Sequence, residues 1–153
     1  MNPIGSAHIR RVRQELALNG ITRHGLARAE SCYVPDIIDP DEHIKAAILG
    51  RRAGGAAMLI ATDERLIFLD RMPLIAISDE MSFKAVSTVK HYSIGPFATV
   101  ELHSKEGEYV LNRVDKRAAA AFVRFIEKEI FDAIKRYTER LVLGAEAAGT
   151  LEN

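Results

Sequence analysis

The fold is decided by thirteen residues near the middle of the chain, Met58-Leu59-Ile60-Ala61-Thr62-Asp63-Glu64-Arg65-Leu66-Ile67-Phe68-Leu69-Asp70. Two apolar runs flank the polar pair Asp63-Glu64, a pattern that predicts two antiparallel strands joined by a tight turn. The apolar residues of these runs do not alternate with polar ones. Both faces of the two strands are therefore expected to be covered by other parts of the protein.

Short apolar runs separated by turn residues continue on both sides of this hairpin. Together they predict seven strands, over residues 44–50, 56–62, 65–70, 77–83, 87–92, 97–103 and 108–112. Gly95-Pro96 and Glu106-Gly107 supply turns between the last three strands. Such closely spaced strands are typical of an antiparallel sheet or barrel.

A long amphipathic helix follows the strands. Asp115 is expected to be its N-cap, since a carboxylate there accepts from free backbone N–H groups and suits the helix dipole. Apolar residues then recur every four positions, at Phe122, Ile126, Ile130 and Ile134. With Gly144 as the expected end, the helix spans about 40 Å, longer than a seven-stranded domain needs to cover its open face.

The first forty residues predict a separate helical extension. Ser6 is expected to cap a helix over 7–18, with Ile9, Val12 and Leu16 facing inward and Asn19-Gly20 ending it. A second short helix is expected over 22–29. The acidic stretch bracketed by Pro35 and Pro40 predicts a linker. The predicted organisation is an extension and linker over 1–40, the main domain over 41–143 and a frayed tail over 144–153.

Composition excludes several classes of protein. Basic and acidic side chains number 21 each, and a net charge of zero argues against nucleic-acid binding. A hydrophobic content of 48% is too high for a disordered chain. The longest apolar runs have six residues, far fewer than the ~20 that cross a bilayer, and no signal peptide is expected at residues 1–18. Because Cys32 is the single cysteine, a cytoplasmic location is expected.

Three segments resemble the bacterial pleckstrin-homology (PH)-like domain family. The stretch 58–70 resembles the hairpin of its second and third strands, and Glu80-Met81-Ser82-Phe83-Lys84-Ala85-Val86 resembles the passage from the fourth strand to the fifth. Phe122-Val123-Arg124-Phe125-Ile126-Glu127 resembles the start of the closing helix. The resemblance covers residues 41 to 131. It implies two bent, near-orthogonal sheets that form a partly open barrel, with the helix across one end.

The resemblance also implies an anion site. Eukaryotic PH domains that bind phosphoinositides use a lysine on the first strand and a basic pair further along. Lys45 holds a comparable position and Arg51-Arg52 flank the first loop, although the basic-x-Arg spacing of the family is absent here. The residues expected to attract an anionic lipid or an acidic partner are Lys45, Arg51, Arg52, Arg71 and Lys105.

No metal site, cofactor or catalytic centre is expected. His24 and Cys32 lack the spacing of paired ligands with Asp36 or Asp39, and no Gly-x-Ser-x-Gly segment occurs. The basic helix around Arg10, Arg11 and Arg13 lacks the aromatic anchor of an interfacial membrane helix.

The sequence therefore predicts a non-catalytic interaction module that forms homo-oligomers or binds a protein partner, with anionic lipid binding as the alternative. A small-ligand-binding barrel or enzyme is the third, less favoured hypothesis. The residues expected in the oligomer interface are Val12, Leu16, Ile134, Tyr137 and Leu141. These apolar positions lie beyond what the barrel is expected to cover.

Overall fold

A computed structural model describes the backbone of residues 3–21, 34–52, 55–72 and 75–151, and the side chains of 5–21, 34–52, 55–70 and 78–146. Helix α1 (Pro3–Leu18) precedes seven strands. The strands are β1 (Ile44–Arg52), β2 (Gly55–Thr62), β3 (Leu66–Met72), β4 (Ile75–Met81), β5 (Val86–Ile94), β6 (Phe97–Ser104) and β7 (Gly107–Asp115). A 3-10 turn (Phe83–Ala85) joins β4 to β5, and helix α2 (Lys116–Leu151) ends the chain.

The strands form one antiparallel series in the order β4-β3-β2-β1-β7-β6-β5. Pairing of β1 with β7, at Arg51 and Asn112, joins the first four strands to the last three. In the described structure β4 and β5 each pair on one side only, so the barrel is partly open. The expected fold class and all seven strands are confirmed.

The core inside the barrel is closed by α2. Phe122, Val123 and Ile126 are buried among inward-facing residues of the strands, such as Leu59 and Leu111. The Asp115 carboxylate accepts the Ala118 N–H at 3.0 Å, which confirms the expected N-cap. The predicted helix therefore covers one end of the barrel with the first half of its apolar stripe.

A second core lies on the outer face of β1, β2 and β3. There Met58, Ile60 and Ile67 pack with side chains of α1 and of residues 34–38. This arrangement confirms that both faces of the central hairpin are covered. It also explains the missing alternation in the sequence, since the side chains of residues 57–61 and 66–69 enter the two cores in turn.

Two details of the first helix differ from the prediction. The helix begins at Pro3, so Ser6 lies within its first turns and is not the N-cap. Ile9 is 42% exposed, because only the Val12 and Leu16 positions face the strands. Asn19-Gly20 does end the helix, and Gly20 has the left-handed φ of +85° that favours glycine. The predicted helix over 22–29 lies outside the described residues.

Residues 36–42 pack against the domain although the sequence reads as a linker. Residues 34–37 are helical, and Val34 and Ile38 are buried in the outer core. Apolar residues on either side of the acidic stretch thus dock it onto the sheet.

Helix α2 continues past its expected end. It reaches Leu151, so Gly144 is an interior residue and not the C-terminal stop. A single glycine costs a helix only about 1 kcal/mol relative to alanine, and the alanines that follow are strong helix formers. Ala133 is the last buried residue of the helix. The remaining 18 residues span roughly 27 Å of helix.

Gly50 allows the close approach of β1 to β7. A Cβ at this position would lie 2.6 Å from the Asn112 carbonyl oxygen and 2.9 Å from Val114 Cγ2. Gly50→Ala is therefore expected to lower the free energy of unfolding by roughly 1–3 kcal/mol in urea denaturation. Gly144→Ala is the control, since nothing lies within 4 Å of its added Cβ and helix propensity then predicts a gain of about 1 kcal/mol. Equal stability of Gly50→Ala and the parent protein would contradict this account.

No helix among the described residues is long and apolar enough to span a membrane.

Candidate functional site

Arg11 and Glu15 attach α1 to the start of β1. The Arg11 guanidinium donates to the Glu42 carbonyl at 2.8 Å and to the Pro40 carbonyl at 3.1 Å. The Glu15 carboxylate accepts the Ile44 N–H at 2.8 Å and also contacts Arg11. Burial raises the pKa of Glu15, but these hydrogen bonds and the one from His43 outweigh it and lower the pKa. The Arg11 guanidinium is thus hydrogen-bonded to groups of its own chain, and the exposed cations of the helix are Arg10 and Arg13.

A buried ion pair ties residues 37–42 to the β2–β3 hairpin. Glu42 has no exposed surface, and its two carboxylate oxygens each accept from the Arg65 guanidinium at 2.8 Å. Thr62 donates its hydroxyl to the same carboxylate at 2.6 Å. Arg65 also donates to the Ile37 carbonyl and pairs with Glu80. This pair could not be predicted from the sequence, because Glu42 resembles the other acids of a solvated linker.

The environment of Glu42 strongly favours its charged form. Burial alone would raise its pKa, but hydrogen bonds from Arg65, Thr62 and the Asp39 N–H lower it to about 2. The same carboxylate raises the pKa of Arg65. Both groups are therefore charged throughout the physiological range, and the pair acts as a fixed structural clamp.

The residues of the expected anion site do not form one cluster. Lys45 and Arg51 lie six residues apart on β1, which is about 20 Å along an extended strand. Lys105 lies in the β6–β7 turn, where its N–H donates to the Ala85 carbonyl at 3.2 Å. The Arg71 backbone belongs to β3, and its side chain lies outside the described residues. Lys45 is too distant from Arg51 to share an anion with it.

Arg52 is held by groups of the same protein. Its guanidinium lies 5.1 Å from the ring centre of Phe68 and 6.0 Å from that of Tyr109, and it pairs with Asp70 at 3.8 Å. The Tyr109 hydroxyl donates to Asp79, and this bond raises the pKa of Tyr109 to about 12. Arg52 therefore has a structural partner on each side, in contrast to the exposed Arg51.

The structure separates the expected oligomer interface into two parts. Val12 and Leu16 are 0% exposed, since they belong to the outer core of their own chain. The reasoning that these two side chains need a partner is corrected by this packing. Ile134, Tyr137 and Leu141 lie on α2 after its last buried residue, and all three are more than half exposed. The Tyr137 ring lies 5.9 Å from Lys84 Nζ of the 3-10 turn.

Two groups of side chains have the composition of metal ligands. Glu101, His103 and Glu108 bring ligand atoms within 4.8 Å of one another on the outer face of β6 and β7. Glu101 already accepts from Tyr92 and pairs with Lys90, an arrangement typical of a surface ion-pair network. The second group comprises Asp39, Glu42 and Glu64, and in it the Glu42 carboxylate is already paired with the Arg65 guanidinium. His24 and Cys32 lie outside the described residues.

The groups with shifted pKa values serve structure. In each case hydrogen bonds or ion pairs with other groups of the same chain contribute to the pKa shift, as for Glu15, Glu42, Glu101 and Tyr109. Perturbed groups of this kind also occur in structural ion-pair networks. Among the described residues, exposed large apolar side chains are most numerous on the end of α2 and occur also on the outer face of β5 and β6 and on α1.

The sequence matches one family over more than half of its length. Residues 38–128 match the family described as Bacterial PH domain. None of the curated proteins matches the chain. Among solved structures, the chain is similar to a DUF1696 family protein with a pleckstrin-homology domain from Shewanella loihica PV-4. The two share 16% sequence identity with a TM-score of 0.47, over 65% of this chain and 92% of that one.

A second similar structure is the pleckstrin-homology domain of USP37. It shares 9% sequence identity with a TM-score of 0.45, over 56% of this chain and 97% of that one.

Proposed function

Since this chain belongs to the bacterial PH domain family, we propose that it acts as a non-catalytic interaction module that forms a homodimer through the exposed part of α2. The α2 extension is defined here as residues 131–146, the exposed end whose side chains the structure describes. The observation that carries the proposal is the exposure of large apolar side chains on a segment of which only Ala133 is buried in the core of the barrel.

The apolar residues of the α2 extension form one stripe. Six large side chains of the extension are 51 to 67% exposed, and all of them except Leu143 lie on one side of the helix: Phe131, Ile134, Tyr137, Leu141 and Val142. Phe131, Ile134, Thr138 and Leu141 follow the alternating three- and four-residue spacing of a coiled-coil seam. Isolated exposed apolar residues are ordinary, whereas a contiguous stripe on an unsupported helix marks an interaction surface.

Charge favours a second copy of the chain as the partner. Asp132, Lys135 and Arg136 give the first half of the α2 extension a net charge of +1. The second half carries a net charge of −1 from Glu139, Arg140 and Glu146. An antiparallel pair of these helices therefore places halves of opposite charge next to each other. A two-fold axis across the extension achieves this arrangement with identical chains.

The expected interface is modest in strength. Covering a side chain that is already half-buried contributes about 1 kcal/mol, and a symmetric pair covers ten such side chains. This total, on the order of 10 kcal/mol, exceeds the lower estimates of the cost of association. Val12 and Leu16 make no contribution, since they are buried within their own chain.

Sedimentation of the protein at roughly 100 µM is expected to give twice the 17.0 kDa mass of the chain. Leu141→Glu is expected to give the monomer, because it places a charge within the apolar stripe. The control is Leu143→Glu, the same substitution about 200° around the helix, which should leave the dimer intact.

Two outcomes would overturn the proposal. One is a monomeric parent protein at that concentration. The other is equal dissociation of the Leu141→Glu and Leu143→Glu variants. Loss of the dimer would then be independent of the position of the new charge around the helix and would not be caused by the stripe.

A further inference from the structure

Three side chains with the chemistry of metal ligands meet on the outer face of β6 and β7. Glu101 and His103 are two positions apart on β6, so their side chains lie on the same face of the sheet. Glu108 of β7 is the direct partner of His103 across the β6–β7 turn. One ligand atom of each residue lies within 4.8 Å of those of the other two. Only the pairing of β6 with β7 places Glu108 beside the other two residues, so no such group was expected from the sequence.

The imidazole of His103 lacks a hydrogen-bond partner at one nitrogen. Its Nε2 atom is shielded from solvent and makes no hydrogen bond within the described part of the chain. Glu108 Oε1 lies 3.6 Å from this nitrogen and Glu101 Oε2 lies 3.7 Å from it, and both distances are too long for a hydrogen bond. An unprotonated Nε2 would place its lone pair near two negative charges, and a protonated one would lack an acceptor within reach. A cation bound between the three atoms removes both difficulties.

The distances between the three ligand atoms suit a small divalent ion. Zinc binds imidazole nitrogen and carboxylate oxygen at about 2.0–2.2 Å, so two ligand atoms in a tetrahedral arrangement lie roughly 3.4 Å apart. The two distances from His103 Nε2 exceed this value by only a few tenths of an ångström. Calcium and magnesium prefer oxygen ligands, whereas an imidazole favours zinc and related transition metals. The ligand set therefore indicates an ion of the zinc type.

The contacts of Glu101 hold its carboxylate in position for an ion. Its Oε1 atom accepts the Tyr92 hydroxyl at 3.0 Å, while its Oε2 atom lies on the side of His103. Outer hydrogen bonds of this kind orient the ligands of metal sites. The Lys90 ammonium lies 3.4 Å from the same Oε2 and competes with a metal ion for it. Since the Lys90 side chain is 62% exposed, it is free to move into solvent when an ion binds.

We propose that Glu101, His103 and Glu108 form a binding site for a divalent transition-metal ion of the zinc type. The ion joins β6 to β7 next to their turn, and solvent completes its coordination. Entry from solvent is open, because the Glu108 side chain is 55% exposed. None of the three residues belongs to the α2 extension, so this proposal does not depend on the proposed dimer.

Calorimetric titration of the untagged protein with zinc chloride tests the site. The parent protein is expected to bind zinc in the micromolar range. His103→Ala is expected to lower the affinity at least tenfold, because loss of an outer partner of a metal ligand already costs about 10–100-fold. The matched control is His91→Ala, which removes an exposed imidazole from the neighbouring strand β5 and should leave zinc binding unchanged.

Two further variants test the charged residues around the ion. Glu108→Gln should also weaken zinc binding at least tenfold, whereas Glu106→Gln, at an exposed acid of the same turn, should not. Lys90→Gln is expected to have the opposite effect, because it frees the Glu101 carboxylate. The affinity for zinc should then rise about two- to fivefold, the factor that corresponds to an exposed ion pair.

Absence of zinc binding by the parent protein up to about 1 mM would overturn the proposal and leave an ion-pair network without a metal. Equal affinities of His103→Ala and His91→Ala would do so as well, since the zinc would then be bound elsewhere. Weaker binding by Lys90→Gln would contradict the competition for Glu101. A fourth contrary result is calcium binding as tight as that of zinc, which would identify a site of oxygen ligands without the imidazole. Circular dichroism of each variant establishes that its fold is retained.

Discussion

Replacing Glu42 with alanine is expected to lower the free energy of unfolding by about 3 kcal/mol. Glu42 is fully buried, and its loss leaves the Arg65 guanidinium and the Thr62 hydroxyl without their shared partner. Breaking a buried, hydrogen-bonded ion pair on one side typically costs 3–5 kcal/mol, and the remaining Glu80 contact of Arg65 places this case near the lower limit. Urea denaturation measures the difference.

The contribution of Glu42 depends on pH with a definite sign. Its pKa is lowered from 4.5 in the unfolded chain to about 2 in the folded protein. The stabilisation, about 3 kcal/mol from this shift, is fully present above pH 4.5 and disappears as the pH falls towards 2. The parent protein and Glu42→Gln should therefore differ most in stability at neutral pH and converge in acid.

Asp41→Ala is the matched control for Glu42. Asp41 is the adjacent acid, but it is exposed, so its removal should change stability by less than about 0.5 kcal/mol. A similar small change for Glu42→Ala would show that the buried ion pair contributes little. A pH-independent difference between the parent protein and Glu42→Gln would contradict the assigned titration.

Phe122→Ala is expected to cost about 3–5 kcal/mol of unfolding free energy. The Phe122 ring is 1% exposed and lies in the inner core, where α2 closes the barrel. Its truncation removes apolar contacts and leaves a cavity that neighbouring strands can fill only in part. Thermal or urea denaturation followed by circular dichroism measures the loss.

Phe131→Ala provides the comparison on the same helix. The Phe131 side chain is 67% exposed, so truncation should change the stability of the monomer by less than about 0.5 kcal/mol in dilute solution. Similar losses for Phe122→Ala and Phe131→Ala would mean that α2 does not close the barrel through the first half of its stripe.

Local patterns predicted the main elements well. The hairpin 58–70, the turns after β5 and β6 and the apolar period of α2 are each properties of neighbouring residues. However, the four-residue spacing of Phe122, Ile126 and Ile130 did not show where the barrel ends. Ile134 continues the same period yet is 56% exposed. Only the length of the strands, folded in space, determines which turns of the helix are covered.

The first forty residues show a different limit. Val12 and Leu16 were expected to meet a partner, and they belong to the outer core of β1, β2 and β3 of the same chain instead. Met58 and Ile67 of this core are more than forty residues away in sequence, so no local pattern links them to α1. The apolar character of both segments was visible, but their pairing was not.

The candidate surfaces were predicted less completely than the fold. The exposed α2 positions Ile134, Tyr137 and Leu141 were identified from the length of the helix. The exposed side chains Ile94 and Phe97 were not identified, because they look like ordinary strand residues until the open face of β5 and β6 is known.

Sequence alone was sufficient for the seven strands, the N-cap at Asp115 and the position of the closing helix, because turn chemistry and hydrophobic period act over a few residues. Tertiary structure decided that Glu42 is a buried ion-pair partner, that Gly50 must lack a side chain and that Phe97 pairs with Asp115 at the start of α2. These relations join residues that are distant along the chain. They exist only once the strands have curved around a common core.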